Sequence, residues 1–166
     1  MFFMKPKLGI SACLLGKAVR YDGGHKLDSL VVDALGKYFE FVAVCPETGC
    51  GMTVPRAPLR LEGDAASLRI VTTTGRVDKT EQMERWMQTN IVKLKKENLT
   101  GFVFKGKSPS CGLAVDIYNS KGGFTGKTLG IFARNFTRCF PSLIVAEDEA
   151  LHDTASLESF IARLLP

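Results

Sequence analysis

Histidine is nearly absent from this chain of 166 residues: there are two, His25 and His152, and neither sits at ligand spacing from a cysteine. No two cysteines are spaced C-x-x-C, so the zinc-finger pattern is missing. No stretch approaches about 18 consecutive apolar residues, which leaves no candidate membrane span and no membrane partner. The apolar start, Met-Phe-Phe-Met, is far too short for the core of a signal peptide. Low-complexity tracts and long like-charge blocks, which would suggest disorder, are missing as well. A cytoplasmic protein is expected, in a compartment where thiols stay reduced.

What the chain does have is an ordinary globular balance, with 45% hydrophobic and 23% charged residues. Its length suits one domain, residues 1–166, with one full-sized core. Lysine and arginine total 22 against 17 acids, a net charge of +5. That excess favours anionic ligands such as phosphates or nucleic acid, and many proteins carry as much for solubility. Five cysteines in a reducing compartment read as ligands, nucleophiles or core residues rather than as disulfides.

Hydrophobic patterning predicts strands at 8–11, 39–44, 101–104, 115–118 and 142–145, with a hairpin over 59–62 and 68–72. Helices are predicted over 27–38, 78–97, 126–136 and 153–165. In the second of these, Met83, Trp86, Met87, Ile91 and Leu94 form one stripe, and Asp78 with Glu81 resembles a capping box. Residues 16–26 and 46–58 read as loops. Strands alternating with helices imply an α/β fold, three-layer and Rossmann-like, with a mostly parallel sheet and helices on both faces. In such folds ligands bind beyond the carboxyl ends of the strands. Cys13, Cys45 and the loop holding Cys111 each follow a predicted strand, so these three cysteines should meet at one sheet edge as a single metallocentre.

Each of the three lies in a dense motif. Pro, Gly and Ser flank them, which leaves backbone N–H groups free to bond sulfur, as in iron–sulfur sites. Arg20, Arg56 and Lys107 are candidates to keep the thiols ionised. Cys139, between Arg138 and Phe140, reads as core. Cys50 forms a weak C-x4-C with Cys45.

Ser11-x-Cys13-Leu14-Leu15-Gly16, Arg20-Tyr21-Asp22-Gly23, Cys45-Pro46-Glu47, Pro55-Arg56 and Ser108-Pro109-Ser110-Cys111-Gly112 together resemble the DUF523 family, associated with thiouracil desulfurases. The resemblance covers Ser11 to about Gly112 and implies a single DUF523-like desulfurase domain. It implies a [4Fe-4S] cluster held by Cys13, Cys45 and Cys111, with the fourth iron free of protein ligands. Such an iron is easily oxidised and lost, so an aerobic preparation can lack the cluster. The implied activity is non-redox desulfuration of a thiolated pyrimidine of thiouracil or 4-thiouridine type. The open iron binds the substrate sulfur, water adds to the carbon, and sulfide leaves. Water needs a general base, and Glu47 is the first choice. Ser108 is the second catalytic candidate, favoured over Ser110 because Ser110 is expected to be held by neighbouring backbone. Ser110, Arg20, Tyr21 and Asp22 are candidates for substrate binding, although Asp22-Gly23 can also be read as a plain turn. Cys50 departs from the family pattern, where a small residue is expected, and a thiolate there could cap the open iron.

The partner is expected to be a small thiolated pyrimidine or its nucleotide, with tRNA a further candidate. The alternative function is an iron–sulfur redox sensor or cluster-binding protein without turnover; a nucleic-acid module rests on the +5 charge alone. Residues 122–128 superficially suggest a phosphate-binding loop, but the required first glycine is Lys121, and a turn is the simpler reading. Lys93, Lys95, Lys96, Lys105 and Lys107 read as solvated charge, with contact to a nucleotide phosphate or tRNA as the alternative.

Overall fold

The structure, a computed structural model, describes residues 4–166. Most of the apolar N-terminal run lies outside the described residues. The strands are β1 (Lys7–Ser11), β2 (Glu40–Val44), β3 (Leu59–Gly63), β4 (Leu68–Thr72), β5 (Leu99–Phe104), β6 (Val115–Tyr118), β7 (Phe124–Thr128) and β8 (Ile144–Glu147). The helices are α1 (Ser29–Leu35), α2 (Pro46–Gly49), α3 (Thr80–Glu97), α4 (Ile131–Cys139) and α5 (Thr154–Leu164). No helix among the described residues is long and apolar enough to cross a membrane.

Strands β2, β1, β5 and β8, in that spatial order, form a wholly parallel sheet. Successive side chains of a strand point to opposite faces, and β5 shows the consequence. Phe102 and Phe104 enter a core with Met83, Met87 and Ile91 of α3 and Phe132 and Phe136 of α4. Val103 faces the other way, into a core with Leu8 and Ile10 of β1, Val31 and Leu35 of α1 and Phe160 and Leu164 of α5. Helices therefore cover both faces, the expected three-layer arrangement. The first core is built on aromatic rings: Phe102 stacks on Phe104 with centroids 4.3 Å apart, and Phe136 lies 4.8 Å from Phe102. Gly9 leaves room for this packing, since a Cβ there would meet the Phe102 ring at 2.2 Å.

The predicted hairpin belongs to a second sheet, ordered β4-β3-β6-β7, which was not expected. Strands β3 and β4 pair antiparallel, β3 and β6 parallel, and β6 and β7 antiparallel. Leu61, Ile70 and Val115 fasten this sheet to the α3/α4 core. The helix expected over 126–136 is corrected here: its first part is strand β7, and α4 begins at Ile131. The would-be phosphate loop is thus hairpin, not a helix entrance. Asp78 also departs from expectation. It lies ahead of the α3 cap position and accepts from Thr80 N at 2.9 Å, so the capping box is not formed. True side-chain caps are made by Asp28 on Val31 N and by Asp153 on Ser156 N.

Candidate active site at the carboxyl edge of the parallel sheet

From β1 the chain passes to β2 on one side, then crosses back to β5 on the other, with α1 and α3 on opposite faces. The strand order reverses at β1, which opens a crevice at its carboxyl end. A cavity of about 450 Å³ occupies that place, and Cys13, Cys45 and Cys111 all line it.

Cys13 sits in a single 3₁₀ turn, Ala12–Leu15, directly after β1. Its carbonyl accepts from Gly16 N at 3.2 Å and Lys26 N at 3.0 Å, so the glycine-rich loop folds back over it. Gly16 takes a φ of 84°, a conformation that suits glycine. Cys45 precedes α2, whose Pro46 is pre-set for a first helical turn. Trp86 of α3 lies across Gly49, where a Cβ would meet the indole at 2.6 Å, and this fixes the short helix.

Cys111 is held differently. The Ser108 hydroxyl accepts from Ser110 N at 3.2 Å and from Cys111 N at 3.1 Å, closing a tight turn. The carbonyls of that turn satisfy the start of α4: Gly112 O accepts from Gly130 N, Pro109 O from Ile131 N, and Ser110 O from Phe132 N and Ala133 N. A helix leaves its first N–H groups without internal partners, and here the cysteine loop replaces a side-chain cap. On its far side, Glu147 accepts from Leu113 N at 2.6 Å and Asp148 from Gly106 N at 2.8 Å.

Burial and the neighbouring Cys45 thiol push the Cys13 thiol up to about 11, against the pull of Arg20 and Lys105. Cys111, fully buried, is pushed further in the same direction by desolvation; the Ser11 hydroxyl opposes this, while Cys45, Glu47 and Cys13 add to it. Burial thus favours the protonated thiols, and a bound cation would take the place of those protons. Among the described residues, no three Cys, His, Asp or Glu side chains are arranged to hold a single metal ion. The three thiols line one cavity, a donor set that fits an iron–sulfur cluster with an incomplete protein shell.

Glu47 also lines the cavity. Arg56 forks onto its Oε2 through Nε at 2.9 Å and through Nη2, and the Ser110 hydroxyl donates to Oε1 at 3.0 Å. The pair is part-buried, with the Glu47 side chain 15% and the Arg56 side chain 8% exposed. Arg56 also donates to Val19 O and Thr53 O, so it is committed to Glu47 and the loops rather than to the thiols. Ser108 and Ser110 exchange their anticipated settings: Ser108 is the one held by backbone, and Ser110 reaches Glu47. Arg20 and Tyr21 line the mouth, with the guanidinium 5.5 Å from the ring centroid. Asp22 does not line the cavity; its carboxylate accepts from Gly24 N at 2.9 Å, which holds it below the usual carboxylate range. Cys50 is turned away from the cavity. Its thiol donates to Glu47 O at 3.2 Å and borders a separate hollow with Gln82 and Trp86. Cys139 packs against the first core.

Two residues were missed. Lys105 is not solvated charge: it lines the cavity and pairs with Asp148 at 3.1 Å. Lys107 lines the cavity too, but is exposed and paired with Glu149. Nothing in the sequence foretold Asp148, whose partner is 43 residues away.

A family model described as 2-thiouracil desulfurase matches residues 8–148. The chain belongs to the 2-thiouracil desulfurase family. The uncharacterized protein YbbK of Bacillus subtilis (strain 168) is 31% identical over 126 residues, 72% of this chain and 80% of its own. Among solved structures, the [4Fe-4S]-dependent thiouracil desulfidase TudS (DUF523Vcz) is similar with a TM-score of 0.72 and 31% identity. That match covers 93% of this chain and 99% of the other.

Proposed function

We propose that this member of the family removes sulfur from a thiolated pyrimidine, using a [4Fe-4S] cluster held by Cys13, Cys45 and Cys111. The observation that carries this reading is the convergence of three thiols, each from a different strand end, on one cavity beside Glu47. Bound there, the cluster supplies an iron without a protein ligand, a thiophilic Lewis acid for a thiocarbonyl sulfur. In the overall exchange, water oxygen replaces sulfur on the ring carbon and sulfide leaves, with no net electron transfer.

The remaining work falls to the chain's own groups. An ionised carboxylate offers about four acceptor positions. Arg56 occupies two on Oε2 of Glu47 and Ser110 one on Oε1, which leaves one on Oε1 for water. Glu47 takes the proton of that water as general base. Ser108 accepts two backbone N–H groups and keeps its own proton to donate to the substrate. Tyr21, backed by Arg20, offers a ring face at the cavity mouth against which a pyrimidine can stack. Asp22, 3.9 Å from Arg20 Nε, steadies that guanidinium.

The test is anaerobic. Protein purified without oxygen is incubated with 2-thiouracil and with 4-thiouridine compounds, and sulfide is measured. Sulfide released in step with uracil or uridine supports the reading. A brown protein that releases none would leave a cluster-binding protein without turnover.

A further inference from the structure

We propose that Lys105 is a substrate-binding residue, whose ammonium donates a hydrogen bond to an exocyclic carbonyl oxygen of the pyrimidine. This rests on the desulfurase reading above and extends it to the part of the ring that carries no sulfur.

Lys105 follows β5 directly, and its backbone N–H donates to the Ser11 hydroxyl at 2.9 Å. The root of the side chain is therefore fixed at the β1/β5 edge, between the Cys13 and Cys111 segments. Its ammonium lies 3.1 Å from Asp148 Oδ2 and 3.1 Å from Gly106 O. Asp148 is fixed in turn, since its N–H donates to Phe104 O at 3.0 Å and its Oδ1 accepts from Gly106 N. The Lys105 side chain is 13% and that of Asp148 7% exposed.

Stability alone does not call for such a pair, because a buried ion pair can often be replaced by apolar side chains without loss. A lysine ammonium has three donors. Asp148 and Gly106 account for two, and the third is left for whatever fills the cavity that Lys105 lines. Arg20, Lys26, Arg56 and Lys107 line the cavity as well. Arg56 is committed to Glu47, Val19 and Thr53. Lys107 is 79% exposed and held by Glu149. Thiopyrimidines of the uracil type carry an exocyclic carbonyl oxygen besides their sulfur, an acceptor that matches this donor.

The experiment measures binding of uracil, which has carbonyl oxygens and no sulfur, to the anaerobic protein and to its iron-free form by calorimetry. The variant is Lys105→Met combined with Asp148→Asn, so that no unpaired charge is left buried. Uracil affinity should fall about ten- to a hundredfold in both forms, the worth of one hydrogen bond to a charged group. The kcat/KM for 2-thiouracil should fall by a similar factor. Wild-type protein supplies a test that needs no variant, because pyrimidine, which lacks the carbonyl oxygens, should bind more weakly than uracil by at least that factor. Equal affinity of wild type for uracil and pyrimidine, or unchanged uracil affinity in the variant, overturns the proposal. Sulfide release judges the desulfurase reading separately: uracil bound through Lys105 with no sulfide released would keep this contact and remove that reading.

Discussion

Ser110 and Glu47, 63 residues apart in the chain, are joined by a hydrogen bond of 3.0 Å from hydroxyl to carboxylate. The bond ties the Cys45 turn to the Cys111 loop. It also sets the direction in which the remaining lone pair of Glu47 Oε1 faces. Glu47→Gln should lower sulfide release about a hundred- to ten-thousandfold, the usual span for a general base. Ser110→Ala should lower it about tenfold, through loss of one charge-assisted hydrogen bond. Both variants should keep the iron content of wild type. Iron lost in parallel with activity would assign these residues to cluster binding instead.

Ligand assignment can be read without any substrate. Cys13→Ser, Cys45→Ser and Cys111→Ser should each abolish retention of iron and acid-labile sulfide after anaerobic reconstitution. Cys50→Ser and Cys139→Ser should load like wild type, because their thiols face a separate hollow and the first core. Loss of loading in Cys50→Ser would return that thiol to the ligand set.

The close approach of β1 to β5 makes a stability prediction. Gly9→Ala places a methyl 2.2 Å from the Phe102 ring and should cost about 1–3 kcal/mol in urea unfolding, the range for overpacked cores. Combining it with Phe102→Leu should cost less than the sum of the two single changes. Additive losses would mean that the ring is not what excludes a side chain at Gly9.

A surface pair gives a pH dependence. His152 Nε2 lies 2.6 Å from Asp28 Oδ2, and that carboxylate raises the histidine above its ordinary 6.5, with Asp148 and Glu149 adding to it. The protonated form is favoured in the folded state, so the pair's contribution is full below 6.5 and fades as pH rises through the raised value. With half the imidazole exposed, it amounts to no more than about 1 kcal/mol. Urea midpoints of wild type and His152→Gln should differ at acidic pH and converge at alkaline pH. A gap independent of pH would remove the ion pair as its cause.

The three cysteines were legible because each follows a strand of a parallel sheet, whose carboxyl ends must share an edge. Glu47 was legible through its distance of two residues from Cys45. The direction of Cys50 was not: it depends on how a one-turn helix is seated under Trp86, a contact made across the fold. Strand β7 was misread because Gly126, at a bulge with φ 152°, interrupts its alternation, and its residues are mostly exposed on a sheet edge. Lys105 and Asp148 were hidden for a related reason. Their pairing arises from the β5/β8 register, which brings Phe104 beside Glu147 and leaves no mark in either local sequence.

Helix α4 begins on the carbonyls of the Cys111 loop rather than on a cap of its own. The amides of Phe132 and Ala133 can therefore exchange with solvent only when that loop lets go, and the loop is released only when the first turn of α4 opens. Ligand loop and aromatic core form one cooperative unit, so amide exchange at Phe132 and Ala133 should slow when the metallocentre is assembled, a gauge of occupancy that needs neither colour nor turnover.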